Sequence, residues 1–114
     1  MRIRVPPKRI REKFLIIYEL QGAQKAVNYL TEYCQVKKMR IVLDGRKVGK
    51  NCVAFYEGNR ATFKTRGLNR RTILHELFHH LVDANGFEMP EREEERRANV
   101  YVRAFLKRVY EKNP

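Results

Sequence analysis

The chain has 114 residues, of which 43% are hydrophobic and 33% charged, and it carries a formal net charge of +12. That length supports one modest core and not two, so a single domain over residues 1–114 is expected. The balance of apolar and charged residues excludes general disorder, and the longest apolar run, Phe14 to Tyr18, is far short of the roughly 18 residues that cross a membrane.

The amino-terminal segment Met1–Pro7 lacks the apolar stretch of a secretory leader, which predicts a cytoplasmic protein. After Pro6 and Pro7, helical periodicity through Ile10, Phe14, Ile17 and Tyr18 predicts a helix over 8–20. Gly22 interrupts or kinks it before a second helical stretch through Ala23, Ala26, Val27, Leu30 and Tyr33. The pattern then changes period. Met39 to Leu43 reads as a strand closed by the turn pair Asp44 and Gly45, and Cys52 to Tyr56 as a second. Glu57–Arg60 forms a hairpin turn into a third strand, Ala61–Thr65. Asn69 or Thr72 can cap the next helix, which stops at Asn85 and Gly86. Pro90 opens a last helix reaching about residue 111, with acidic residues in its first turns that suit the helix dipole. A small three-stranded sheet with helices around it is an α+β arrangement.

The charge is uneven. Residues 1–50 hold 13 basic and 4 acidic side chains, and residues 51–114 hold 12 and 9. Such an excess suits nucleic acid, an acidic membrane surface or acidic substrates, but no basic stripe interleaved with aromatics is present, and a solvated basic surface is the simpler reading. Cys34 and Cys52 make no disulfide framework and lack zinc-ribbon spacing.

The chemistry concentrates in Thr72–His80, which contains His75-Glu76-x-x-His79. Histidines four apart project from one helical face, one turn apart, so both imidazoles can close on one metal ion. Glu76 is then placed as the general base and acid of a hydrolytic site. His80 points about 100° away from His79 around the helix and is expected to be packed or at the surface. Zinc is the expected ion, and a catalytic zinc needs a third protein ligand. No histidine follows His80, Cys34 and Cys52 stand in unremarkable surroundings, and Asp83 on the same helix cannot converge with both histidines. An acidic residue from the last helix remains. Its inward face, drawn by Ala98, Val102, Phe105 and Val109, is flanked by Glu94 and Glu95, and periodicity does not choose between them. Asn99 favours Glu95: a polar residue one turn beyond the ligand can accept the Nδ1–H of a metal-bound histidine. Tyr101 is the candidate for stabilising an oxyanion, against a plain core or interface role.

His-Glu-x-x-His followed by Glu95-x-x-Ala98-Asn99 resembles the gluzincin pattern. The single domain is most similar to the minigluzincins, minimal soluble relatives of membrane metallopeptidase catalytic domains, and also resembles the ImmA/IrrE-type metallopeptidases. The resemblance covers residues 72–106 in its motifs and residues 8–66 only in architecture. It implies zinc on His75, His79 and Glu95, with Glu76 as general base and acid in a metalloendopeptidase acting on a peptide or protein. Asn99 departs from the aspartate common in larger gluzincins. Such small proteins can be latent, with residues 1–9 or Val109–Pro114 blocking the cleft in the same chain or across a homodimer. The substrate backbone would pair with the Ala61–Thr65 strand. The alternatives are a non-catalytic zinc domain and a basic nucleic-acid-associated module.

Overall fold

A computed structural model describes residues 3–109. Helices α1 (Lys8–Gln21) and α2 (Ala23–Tyr33) are followed by strands β1 (Arg40–Leu43), β2 (Ala54–Glu57) and β3 (Arg60–Phe63). Helices α3 (Arg70–Ala84) and α4 (Glu91–Leu106) complete the fold, which is the expected α+β class. No helix among the described residues is long and apolar enough to cross a membrane.

Gly22 separates α1 from α2 at a φ of +92°, a backbone conformation that L side chains rarely adopt. The two helices therefore turn and pack on each other rather than continuing as one. Phe14 and Leu15 of α1, Leu30 of α2, Phe63 of β3, Leu77 of α3 and Phe105 of α4 are fully buried in one core. Phe14 and Phe105 meet edge to face with centroids 5.3 Å apart, a favoured aromatic geometry.

The sheet order is β1-β3-β2, with β1 parallel and β2 antiparallel to β3. A two-residue turn joins β2 to β3, with Gly58 at φ +55° and Asn59 at φ +63°. Positive φ at both positions gives the tight turn whose twist matches a hairpin. Strand β3 thus has neighbours on both sides and cannot accept a further chain, which removes the expectation that Ala61–Thr65 pairs with substrate. The outer edge of β1 is partly closed by Gln24 of α2. Its amide donates to the Met39 carbonyl (2.9 Å) and accepts from the Ile41 N–H (2.8 Å). Strand β2 is the other edge.

Helix α3 begins where expected, with Asn69 Oδ1 accepting from the Thr72 N–H at 3.0 Å. It ends at Gly86 (φ +67°), with the Phe87 N–H donating to the Val82 carbonyl at 3.0 Å, the 6→1 bond that closes a helix terminus. Helix α4 ends at Leu106 rather than near residue 111. Arg11 of α1 accounts for the earlier stop, since its guanidinium donates to the carbonyls of Phe105 and Lys107, both at 3.0 Å. Those terminal carbonyls are satisfied by a side chain instead of a further helical turn.

One glycine shapes the approach to the site. A Cβ on Gly67 would stand 2.4 Å from the Val53 carbonyl oxygen, so the turn at Thr65–Gly67 and the strand leading into β2 are in backbone contact. Gly67→Ala is expected to lower stability by roughly 1–3 kcal/mol, the scale of overpacking a closed site. Urea denaturation measures it, and an unchanged midpoint would refute the contact.

Candidate metal centre and cleft

Helices α3 and α4 pack side by side. The middle of α3 meets the start of α4, and the start of α3 meets the end of α4, so the pair runs antiparallel. Across this seam His75, His79 and Glu95 each offer one atom, all within 4.8 Å of one another. The two Nε2 atoms are 3.3 Å apart. Glu95 reaches both rings, with Oε1 at 2.8 Å from His79 Nε2 and Oε2 at 3.1 Å from His75 Nε2. A tetrahedral ion with bonds of about 2.0–2.1 Å spaces its donors by roughly 3.3–3.4 Å. The 3.3 Å separation of the two Nε2 atoms matches that value, and the Glu95 contacts are shorter.

His79 Nδ1 donates to the Glu94 carboxylate. In the tautomer that carries a proton at Nδ1, the Nε2 lone pair is free. That lone pair faces the oxygen of Glu95 and the second imidazole. Two imidazole nitrogens and a carboxylate oxygen are a donor set that could hold a divalent cation. Glu94 is therefore the residue that orients His79. Asn99, expected in that role, lies exposed on the cleft wall beside His75 and Glu95 instead. The reason is angular: Glu94 precedes the ligand by one residue and reaches the outer side of the ring. Glu93 serves α4 alone, paired with Arg96 and Arg97 at 2.7 Å each, and these hydrogen bonds lower its carboxyl to about 2.

Glu76 is 5% exposed and lines the same cleft with no hydrogen-bond partner among the described residues. Burial raises its carboxyl to about 7, with His79 opposing the shift and Glu95 adding to it. A carboxyl that changes charge near neutrality is suited to accept and return a proton. The cleft measures about 740 Å³. One wall is α3, a second is α4, and the third is Asn51–Ala54 at the start of β2.

His80 is fully buried away from His75, His79 and Glu95 and holds α3 against the sheet. Its Nε2–H donates to the Lys37 carbonyl, and its Nδ1 lies 2.9 Å from the Tyr56 hydroxyl. That hydroxyl also donates to Asp83 at 2.8 Å and accepts from the Asn59 N–H at 3.1 Å. Burial and the Asp83 hydrogen bond push the Tyr56 hydroxyl far above its usual value. One network thus ties α3 to the β2–β3 turn and to the loop before β1. Histidine spacing could not reveal it, because its partners are distant in sequence.

Tyr101 does not reach the cleft. Only 4% exposed, it stacks with Phe78 (5.5 Å) and Phe105 (6.0 Å) and borders a separate groove on the other side of α4. Residue 101 lies about 120° around the helix from residue 95, which sets the expected oxyanion candidate apart from the cleft. Ile3 and Val5 border that same separate groove, so this part of the amino-terminal arm does not cover His75, His79 and Glu95. Val109 is buried in the core, and the rest of the tail, residues 110–114, lies outside the described residues, as do residues 1 and 2. Comparison with protein-family models, curated proteins and solved structures finds no match for this chain.

Proposed function

We propose that this protein is a zinc-dependent metallopeptidase of gluzincin type, acting in the cytoplasm on a peptide or protein. The observation that carries the reading is the meeting of His75, His79 and Glu95 at metal-ligand spacing, with the buried Glu76 carboxyl in the same open cleft. A site meant only to hold helices together would be closed by a fourth protein ligand. Here the Glu95 side chain is 49% exposed and the cleft has room for a peptide.

Zinc bound by these three residues would acidify a water molecule and polarise the scissile carbonyl. Glu76 takes the proton from the attacking water and delivers it to the amide nitrogen as the C–N bond breaks. Glu94 holds the His79 ring so that Nε2 faces the centre. The β2 edge supports an extended substrate. The Lys64 N–H donates to the Val53 carbonyl (2.9 Å) beside the Ala54–Phe63 pair. Hydrogen-bonded and free positions alternate along an antiparallel strand, so the N–H and C=O of Ala54 face away from β3. That backbone, on the cleft wall, can pair with a peptide by strand addition.

The test is a measurement of zinc content together with peptide cleavage. One zinc per chain is expected, with cleavage that stops on chelation and returns on adding zinc. A chain that binds no divalent metal when refolded with zinc would end the proposal. Glu94→Gln keeps shape but weakens the acceptor for His79 Nδ1. Zinc affinity is expected to fall about 10–100-fold, the usual cost of removing such support, in a chelator competition assay. Asn99→Ala in the same assay is expected to change affinity by less than about threefold, within RT-scale effects at an exposed side chain.

A further inference from the structure

Two arginines frame one end of the cleft. Arg71 is one turn before His75 on α3, and Arg103 is two turns beyond Glu95 on α4, so both belong to the ligand-bearing faces. The antiparallel packing brings them to the same end of the cleft. Both are exposed, and neither has an ion pair or hydrogen bond among the described residues. Other arginines near the seam are already engaged, Arg96 and Arg97 with Glu93 on the far side of α4.

Arg71 is also badly placed for the helix that carries it. The first turn of α3 has no acidic residue, and a cation there opposes the positive end of the helix dipole. Folding alone gives no reason for it. The α3 amino terminus adds its own positive potential to the two guanidiniums, and Asn51 and Thr72 line the same cleft. With Glu76 and Glu95 matched by a divalent ion, the remaining charge in the cleft is positive.

We infer that this end of the cleft is a carboxylate subsite, and that the preferred substrate carries a carboxylate a few residues from the bond to be cut. The inference rests on the peptidase reading and narrows its substrate class. Four helical residues separate Arg71 from His75 and eight separate Arg103 from Glu95, distances of about 6 and 12 Å along the axes. An extended peptide advances about 3.3 Å per residue, which puts the recognised carboxylate roughly two to four residues from the scissile bond. Planar guanidiniums suit that group because each can grip both of its oxygens. The carboxylate can come from an Asp or Glu side chain or from the peptide's own carboxyl terminus.

The test uses the zinc-loaded full chain and unlabelled peptides built on one alanine-rich sequence, with products located and quantified by mass spectrometry. One set places a single Asp, or its neutral isostere Asn, at each position in turn and has an amidated carboxyl terminus. The other set has no acidic side chain and ends in a free or an amidated carboxyl group. The expected result is a kcat/KM ratio of about tenfold in favour of the charged member, the scale of two partly exposed ion pairs. That advantage should appear at a defined distance from the cut and fall as salt is raised. Arg71→Glu with Arg103→Glu should bring the ratio to one or below, and Arg71→Gln with Arg103→Gln should bring it near one. An advantage in the first set assigns the subsite to acidic side chains, and in the second to a chain terminus. Equal rates for charged and neutral peptides, with cleavage intact, would overturn the subsite and leave the peptidase reading standing. Absence of all cleavage would count against the peptidase reading. The subsite would then be judged by calorimetry with the same peptides ending in a hydroxamate, where equal affinities for Asp and Asn would overturn it.

Discussion

Glu76→Gln is expected to retain one zinc per chain while kcat for peptide hydrolysis falls on the order of 10²–10⁴, the range for loss of a positioned general base. The amide matches the carboxylate in shape but cannot take a proton from water or return one to the leaving nitrogen. Retained zinc is the informative half of the result. It separates loss of chemistry from loss of the site, because Glu76 is not among the three converging donors. An unchanged kcat would remove Glu76 from the mechanism.

The same substitution has a second signature in the metal-free protein. Burial raises the folded Glu76 carboxyl from its ordinary 4.5 to about 7. The native state therefore keeps its proton between these values while the unfolded chain loses it. Stability falls as pH rises through that window, by up to about 3 kcal/mol at neutral pH and above. Glu76→Gln does not titrate, so its advantage over the parent chain should be absent near pH 4 and greatest above pH 7. Urea denaturation of chelator-treated samples at both pH values reads the difference.

Glu95→Ala is expected to lower zinc affinity by on the order of 10²–10³, the share of one ligand in a total binding free energy of about 10–16 kcal/mol. Activity should vanish at zinc concentrations that load the parent chain but lie below the weakened Kd of the variant. The metal-free variant should fold with the parent's helical content, since Glu95 is 49% exposed and contributes nothing to the core. The stabilisation that zinc confers on the parent, following mass action, should be lost with the ligand. Full retention of zinc in Glu95→Ala would mean that another acid completes the centre, and Glu94 is the nearest candidate.

How much of this was legible from residues alone differs between elements. Apolar periodicity located the helices to within a residue or two at most ends, because a 3.6-residue repeat is strong over a dozen positions. The strands shifted by one or two residues, and their order was not legible at all. Four-residue strands carry little periodicity, and β1 finds β3 across an intervening hairpin. Substrate pairing was expected on β3 for want of that order, whereas β3 is the central strand and the free edge at the cleft is that of β2.

The amino-acid sequence by itself determined which side chains face the seam between α3 and α4. Helical spacing is local, so His75 and His79 must share a face and Glu94 and Glu95 must flank the inward face of α4. Only the tertiary structure decided which atoms meet: Glu95 at both Nε2 atoms, Glu94 at Nδ1 of His79, Asn99 at the cleft wall, and Tyr101 in the core. Those outcomes depend on how two helices rotate and slide against each other. A rotation of a few tens of degrees exchanges neighbouring residues in the site, and it is set by packing across the whole core, not by the residues that do the chemistry.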